Sequence, residues 1–347
     1  MSKRYKVGFI GVGRPWKTEG ATGFGMAYQH AEGYVASGQC DLVACSDINA
    51  ENAAAFAEKY GAEHTYADYH EMLAKESLDL VSICTWPHLH RPMVVAAAEA
   101  GVKAIHCEKP MGTTWDDSLE MVRVCEKHGV ALTFNHQRRT LPVFQAARKL
   151  IKDGAIGEIT RIEGNCGDMY DWGTHWLDMF FFYNGESPAE WVLGQIDSRA
   201  EHKVFGVPLE NQAICNVRFK NGVRGILETG HGASEGVAHR IIGTGGIIEV
   251  LWGAPCLRIL SADQKGWRVI ETAGDLHGPD SVNGAIKEIV NALDTGTESI
   301  LCAKNALRTT EVIFATYESS RRRGRVDLPL TVPGNAFVEM LEQGQVG

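Results

Sequence analysis

The chain has no apolar run approaching the length of a membrane span, no internal repeat and no low-complexity segment. It also lacks an excess of positive charge. Its 34 Lys and Arg residues face 43 Asp and Glu, for a net charge of −9. Nucleic acids and anionic membrane surfaces are bound through basic faces, so this balance argues against both as partners. The nine cysteines are scattered, odd in number and without CxxC spacing. They read as reduced, mostly buried thiols of a cytoplasmic protein. The start shows no signal-peptide pattern, because Met1-Ser2-Lys3-Arg4 runs straight into the strand-like Tyr5-Lys6-Val7-Gly8-Phe9-Ile10. What remains is a soluble globular composition, 44% hydrophobic and 22% charged, in 347 residues, enough for two domains with separate cores.

Two rhythms divide the chain. Up to about residue 133, short apolar runs at 7–10, 42–45, 79–84, 104–107 and 131–134 alternate with helical stretches at 50–60, 93–100 and 115–128. Runs that are apolar throughout fit strands buried on both faces, which predicts a doubly wound parallel α/β domain over 1–133. After a helix at 142–152, short strand candidates follow at 158–166, 191–197, 213–219, 224–228, 240–242, 247–251, 257–260 and 268–271. Turns such as Lys220-Asn221-Gly222 separate them, and helices return at 281–293 and 303–321. This predicts a second α+β domain over 134–347, built on a large, mostly antiparallel open sheet. Helices cover one face, and the other is left for a homodimer or homotetramer. A C-terminal helix can pack back on the first domain.

Gly11-Val12-Gly13 follows the first strand, where a dinucleotide fingerprint belongs. Trp16 stands where a regular GxGxxG has its third glycine. Residues 14–22 read as an insertion, after which Gly23 or Gly25 opens the helix at Met26-Ala27. Asp47 closes the second strand, where a carboxylate accepts both adenosine ribose hydroxyls and repels a 2′-phosphate, selecting NAD over NADP. The bland reading is a helix cap at Asp47 or Asn49. Arg14 is placed to pair with the pyrophosphate.

The chemistry is concentrated in His106-Cys107-Glu108-Lys109-Pro110-Met111-Gly112 and Asp171-Trp172-Gly173-Thr174-His175. The first puts a lysine in a turn after a strand. The second sets a carboxylate and an imidazole one helical turn apart. Taken singly, such a lysine is usually solvated and such a pair usually lies on a helix surface. Together they are what an enzyme needs to take a proton from an alcohol as hydride leaves the same carbon.

Over nearly its whole length the chain resembles the Gfo/Idh/MocA oxidoreductases, named for glucose-fructose oxidoreductase and inositol dehydrogenase. The likeness rests on the N-terminal GxG, Thr85-Trp86-Pro87-His88-Leu89-His90, Glu108-Lys109-Pro110 and Phe134-Asn135-His136-Gln137-Arg138-Arg139. Residues 149–159, Asp171-x-x-x-His175, Tyr317-Glu318-Ser319-Ser320 and Val326-Asp327-Leu328-Pro329 complete it. The resemblance implies a nicotinamide enzyme acting on a secondary alcohol of a sugar or cyclitol. Lys109, His175 and Asp171 would be its catalytic set, with a cis bond at Pro110. Asp178 is the rival carboxylate and Asp168 a weaker one. Gly11, Gly13, Arg14, Gly25, Asp47, Thr85, Trp86, Pro87, His90, Glu108 and Lys109 would hold the cofactor. Trp86, Asn135, Arg138, Tyr170, Trp172 and His175 would meet the substrate, with Trp176 and His136 nearby. With both Arg138 and Arg139 present, an acidic or phosphorylated sugar stays among the candidates.

His88, His90, His106 and Cys107 form no complete metal-ligand set, so no metal is expected. The basic run Arg321-Arg322-Arg323-Gly324-Arg325 reads as a helix end complementing its dipole. The first functional expectation is an NAD-dependent sugar, glycoside or cyclitol dehydrogenase. The second is glycoside cleavage through a transient 3-keto sugar with NAD retained. The third is a non-catalytic nucleotide or sugar sensor, against which Lys109, Asp171 and His175 argue.

Overall fold

Each all-apolar run of the N-terminal part becomes a parallel strand. The computed structural model describes residues 4–230, 236–262 and 264–346; Met1, Ser2 and Lys3 of the predicted lead-in lie outside them. The first elements are β1 (Tyr5–Ile10), α1 (Met26–Ser37), β2 (Cys40–Ser46), α2 (Ala50–Tyr60), β3 (His64–Tyr66) and α3 (Tyr69–Lys75). They continue with β4 (Leu80–Ile83), α4 (Pro87–Glu99), β5 (Ala104–Cys107), α5 (Trp115–His128) and β6 (Ala131–Phe134). The six strands form one sheet in the order β3-β2-β1-β4-β5-β6, parallel throughout. All four residues of β4 and of β5 are buried, as strands covered on both faces must be. The chain winds outward from β1 to β3, then crosses back to β4, so the switch point lies beside β1, where open α/β sheets bind ligands.

After a 3-10 turn at Gln137–Thr140 come α6 (Pro142–Lys152), β7 (Ile159–Cys166), α7 (Gly173–Tyr183), β8 (Ala189–Asp197), β9 (Lys203–Val204), β10 (Val207–Pro208) and β11 (Gln212–Phe219). Then follow β12 (Arg224–Thr229), β13 (Val237–Gly243), β14 (Gly246–Leu251), β15 (Leu257–Ser261) and β16 (Arg268–Val269). The chain closes with α8 (Pro279–Thr295), α9 (Ala303–Arg322), β17 (Val326–Asp327) and α10 (Ala336–Glu342). Nine strands form a sheet in the order β16-β15-β14-β13-β7-β12-β11-β8-β17, in which β7 and β12 are the parallel pair. Along β11, Ala213, Cys215, Val217 and Phe219 are buried, while Ile214 on the opposite face is 52% exposed. No described helix is long and apolar enough to cross a membrane.

The chain divides into two compact units. The first comprises Met1–Thr113, Asp117–Gln137 and Pro279–Lys304; the second comprises Thr114–Asp116, Arg138–Gly278 and Asn305–Gly347. The expected break at 133/134 therefore moves to Gln137, and α8 joins the first unit. Packing explains it. Ala285, Ile286 and Ile289 of α8 share a buried cluster with Ala27, Ala31 and Tyr34 of α1. Gly33 is bare where a Cβ would stand 2.8 Å from Ile286. The Tyr5 hydroxyl donates to Asp294 at 2.7 Å.

Candidate active site

In the first unit, β1 runs into Gly11, whose φ of +78° favours glycine and whose Cβ would sit 2.3 Å from the Thr85 methyl. The Gly13 amide donates to Asp47 Oδ2 at 2.8 Å, and the Asn49 amide donates to Oδ1 at 2.9 Å. Asn49 caps α2, accepting from the amides of Glu51 and Asn52. Asp47 is thus released from the capping role and fixed against the glycine turn. Helix α1 opens at Gly25, in the left-handed region and with no side-chain cap. Its first-turn N–H groups and the helix dipole suit an anion. The turn, the uncapped helix end and the acid closing β2 fit a dinucleotide.

Arg14, expected at the pyrophosphate, is engaged elsewhere. Its guanidinium donates to Asn52 Oδ1 (3.0 Å), the Glu19 carbonyl (2.9 Å) and Glu51 Oε2 (3.2 Å), stapling the insertion to α2.

Beyond β4, Trp86 is the residue before α4, and Pro87 is the first of its helix. The buried His90 ring lies between two carbonyl groups, Nε2 at 3.0 Å from Thr85 O and Nδ1 at 3.0 Å from Pro110 O. It ties the loop after β4 to the lysine turn after β5. The Lys109–Pro110 bond is cis, as the resemblance implied.

Glu108 is buried beside this turn. Its Oε1 accepts from His30 Nε2 (2.8 Å) and Asn135 Nδ2 (2.7 Å), and its Oε2 accepts from the Lys109 amide (3.1 Å). His30 Nδ1 lies 2.8 Å from Ser82 Oγ. Burial alone would raise the Glu108 pKa, but the bond to His30 and its charge, then Asn135, pull it down to about 2. Burial likewise opposes the His30 cation, yet Cys84 and Glu108 lift it to about 10. A buried, hydrogen-bonded histidine–carboxylate pair stands beside the Lys109 turn. Asn135, expected at the substrate, gives its Nδ2 to that pair, while its Oδ1 has no hydrogen-bond partner among the described residues. No spacing in the sequence links residues 30, 82, 108 and 135; β4, β5 and β6 lie side by side, and α1 brings His30 onto them.

In the second unit, Asp171 lies in the turn before α7, not on the helix with His175 as the four-residue spacing suggested. Asp168 builds this turn. Its Oδ1 accepts from the amides of Asp171 (2.5 Å) and Trp172 (3.2 Å). Asp178, the rival carboxylate, is instead held bidentately by Arg139 at 2.7 and 2.8 Å. Asp171 and His175 are both buried, at 8% and 4% exposure. Tyr170 is part of the hydrophobic core, while Trp172 stays half-buried at its margin.

Glu210 lies beneath the same turn, accepting from the Met169 amide at 2.5 Å and from the Tyr317 hydroxyl at 2.9 Å. Burial, then Asp168, raises its pKa from 4.5 to about 7. The folded state holds this proton more tightly than the unfolded chain. Its contribution to stability is full below pH 4.5 and is lost as pH rises towards about 7. Chemical unfolding at a series of pH values should show that decline, and Glu210→Gln should flatten it. An unchanged profile in the variant would mean that Glu210 titrates as an ordinary carboxyl.

Comparison with known proteins agrees with this architecture. Residues 5–136 match the oxidoreductase family model with an NAD-binding Rossmann fold, and residues 165–249 match the GFO/IDH/MocA C-terminal domain. D-apiose dehydrogenase of Paraburkholderia graminis is 28% identical, covering 94% of this chain and 90% of its own. Myo-inositol 2-dehydrogenase of Thermotoga maritima is 26% identical, covering 68% of this chain and 71% of its own. Among solved structures, levoglucosan dehydrogenase with NADH and levoglucosan has a TM-score of 0.81 at 22% identity, covering 94% of this chain and 100% of that one, a likeness of fold. With both family domains present in order, the chain belongs to the Gfo/Idh/MocA oxidoreductases, NAD-binding enzymes of the CH–OH dehydrogenase type.

Proposed function

We propose that the protein transfers hydride between a secondary alcohol of a sugar, glycoside or cyclitol and the nicotinamide of NAD, with Lys109, His175 and Asp171 as its acid–base set. The observation that carries this reading is the placement of Lys109. It follows β5 at the C-terminal edge of the parallel sheet, in a turn held by His90. Its neighbour Glu108 is committed to His30 and Asn135, so proton donation at this edge falls to the lysine. Gly11, Gly13, the start of α1 and Asp47 would hold the cofactor, and the bound nicotinamide supplies the hydride acceptor. Lys109 donates a hydrogen bond to the reacting oxygen and stabilises the developing alkoxide. His175 takes the hydroxyl proton, and Asp171 stabilises the imidazolium that results. The names of the apiose and inositol dehydrogenases support a polyhydroxylated substrate.

The test is nicotinamide absorbance against a panel of sugars, sugar acids, glycosides and cyclitols. Turnover with at least one class is expected. Absence of NAD binding together with absence of turnover would overturn the reading. Glycoside cleavage that retains C3 deuterium, exchanges C2 and yields no net NADH would select the redox-neutral route.

Asp47 sets the cofactor preference. Its carboxylate accepts ribose hydroxyls and repels a 2′-phosphate. Asp47→Ser should weaken NAD by roughly 10- to 100-fold, the value of hydrogen bonds to a charged acceptor, and weaken NADP far less. Fluorescence titration of both nucleotides decides; equal losses would mean that Asp47 only holds the glycine turn.

A further inference from the structure

Arg138 and Arg139 leave the same 3-10 turn, and both are buried, at 3% and 1% exposure. Their guanidinium groups are treated differently. Arg139 is bidentate to Asp178 and also donates to Glu186 at 2.7 Å. Among the described residues, Arg138 makes one hydrogen bond, from Nη2 to His277 Nδ1 at 3.1 Å. Among the described residues, its Nε and Nη1 have no acceptor, and no carboxylate pairs with it at salt-bridge distance.

Aromatic rings surround this group. The guanidinium carbon lies 4.8 Å from the Trp176 ring centre and 5.6 Å from that of Trp172. Trp176 stacks on Trp252 at 4.9 Å, and Trp252 stacks on His277 at 6.0 Å. Cation–π contact recovers only part of the hydration that a buried guanidinium gives up. Burial draws the Arg138 pKa down to about 9, with the charge of Asp171 the largest opposing influence, so the group stays cationic at neutral pH. Buried donors without acceptors are uncommon in folded proteins and call for an explanation.

We propose that Arg138 receives a carboxylate of the substrate, so that the enzyme acts on a sugar acid of the uronate or aldonate class. The proposal rests on the hydride-transfer reading above. Guanidinium and carboxylate match as planar, two-pronged partners. Each guanidinium fork joins Nη2 to one of the nitrogens that lack an acceptor, and Nη2 carries a second hydrogen besides the one given to His277. Trp172, next to Asp171, offers the flat face on which the C–H side of a sugar ring packs. A phosphate dianion would call for a second cation, and Arg139 is already committed to two carboxylates.

The NAD-loaded protein is assayed with D-glucuronate, D-galacturonate and D-gluconate against D-glucose, D-galactose and D-glucose 6-phosphate. Binding is read in parallel from quenching of tryptophan fluorescence. For at least one acid, kcat/KM should exceed that of its neutral counterpart by roughly 100-fold, the worth of charge-assisted hydrogen bonds. In Arg138→Gln this ratio should collapse towards one, and Arg138→Lys, which keeps the charge without the fork, should fall between. Saturable quenching by the acid should be lost in the Gln variant. Neutral sugars equal to or better than acids, a preference for the phosphate, or a ratio unmoved in both variants would overturn the proposal while leaving hydride transfer standing. Quenching by an acid without turnover would uphold the carboxylate site and remove the hydride reading. Neither quenching nor turnover would remove both.

Discussion

Lys109→Met is expected to lower kcat by roughly 10²- to 10⁴-fold, the range seen when a positioned acid–base group is removed. Methionine keeps the length and apolar stem of lysine, so the turn between β5 and Pro110 should persist. What is lost is the donor to the reacting oxygen. Lys109→Arg should also be slowed, because the broad planar guanidinium cannot set a donor where the compact ammonium stands. NAD affinity, measured separately by titration, should change much less than kcat. A variant within tenfold of the wild type in kcat would remove Lys109 from the chemistry.

Asp178→Ala is expected to destabilise the second unit by about 3–5 kcal/mol, the usual loss when one member of a buried ion pair is removed. Arg139 and Asp178 are 1% and 0% exposed as side chains, so neither charge has water to fall back on. Glu186, more exposed at 23%, would be the remaining anion bonded to the guanidinium among the described residues. The paired replacement Arg139→Met with Asp178→Leu should recover much of the loss, since it removes both fully buried charges and leaves Glu186, 23% exposed, with Arg308 at 3.6 Å. Urea unfolding followed by tryptophan fluorescence measures this, because Trp115, Trp172, Trp176, Trp191, Trp252 and Trp267 all belong to that unit. Losses below about 1 kcal/mol for Asp178→Ala would show that solvent replaces the carboxylate.

Most of the architecture was legible because burial on both faces leaves a plain trace in a parallel strand. β5 and β6 begin and end where the apolar runs do, and α2, α5 and α6 keep their predicted limits. The misses have distinct physical origins. β3 has three residues and α3 seven, too short and too exposed to set up a period. α4 starts six residues before its expected start because Pro87 opens it and Pro92 lies within it. α7 is buried in all eleven residues, so it has no polar face to reveal a helix. At the site, motif spacing pointed to Lys109, Asp47 and His175, all chemically expressive residues near turns. It gave no hint of His30 or Ser82, which meet beside Glu108 only because α1 packs on the sheet and β4 lies next to β5. Nor could it separate Arg138 from Arg139, neighbours whose difference lies wholly in what surrounds them.

The packing of α8 on α1 bears on the order in which the protein can form. Tyr5 waits for Asp294, 289 residues later, and Phe134 for the carbonyl of Leu301. During synthesis the nucleotide-binding sheet emerges early, but the apolar side of α1 stays uncovered until the stretch Arg138–Gly278 of the second unit has left the ribosome. Contacts of such sequence separation form slowly and leave sticky surface exposed in the meantime. A fragment ending at Gln137 should therefore aggregate, and supplying residues 279–304 as a separate peptide should rescue its solubility.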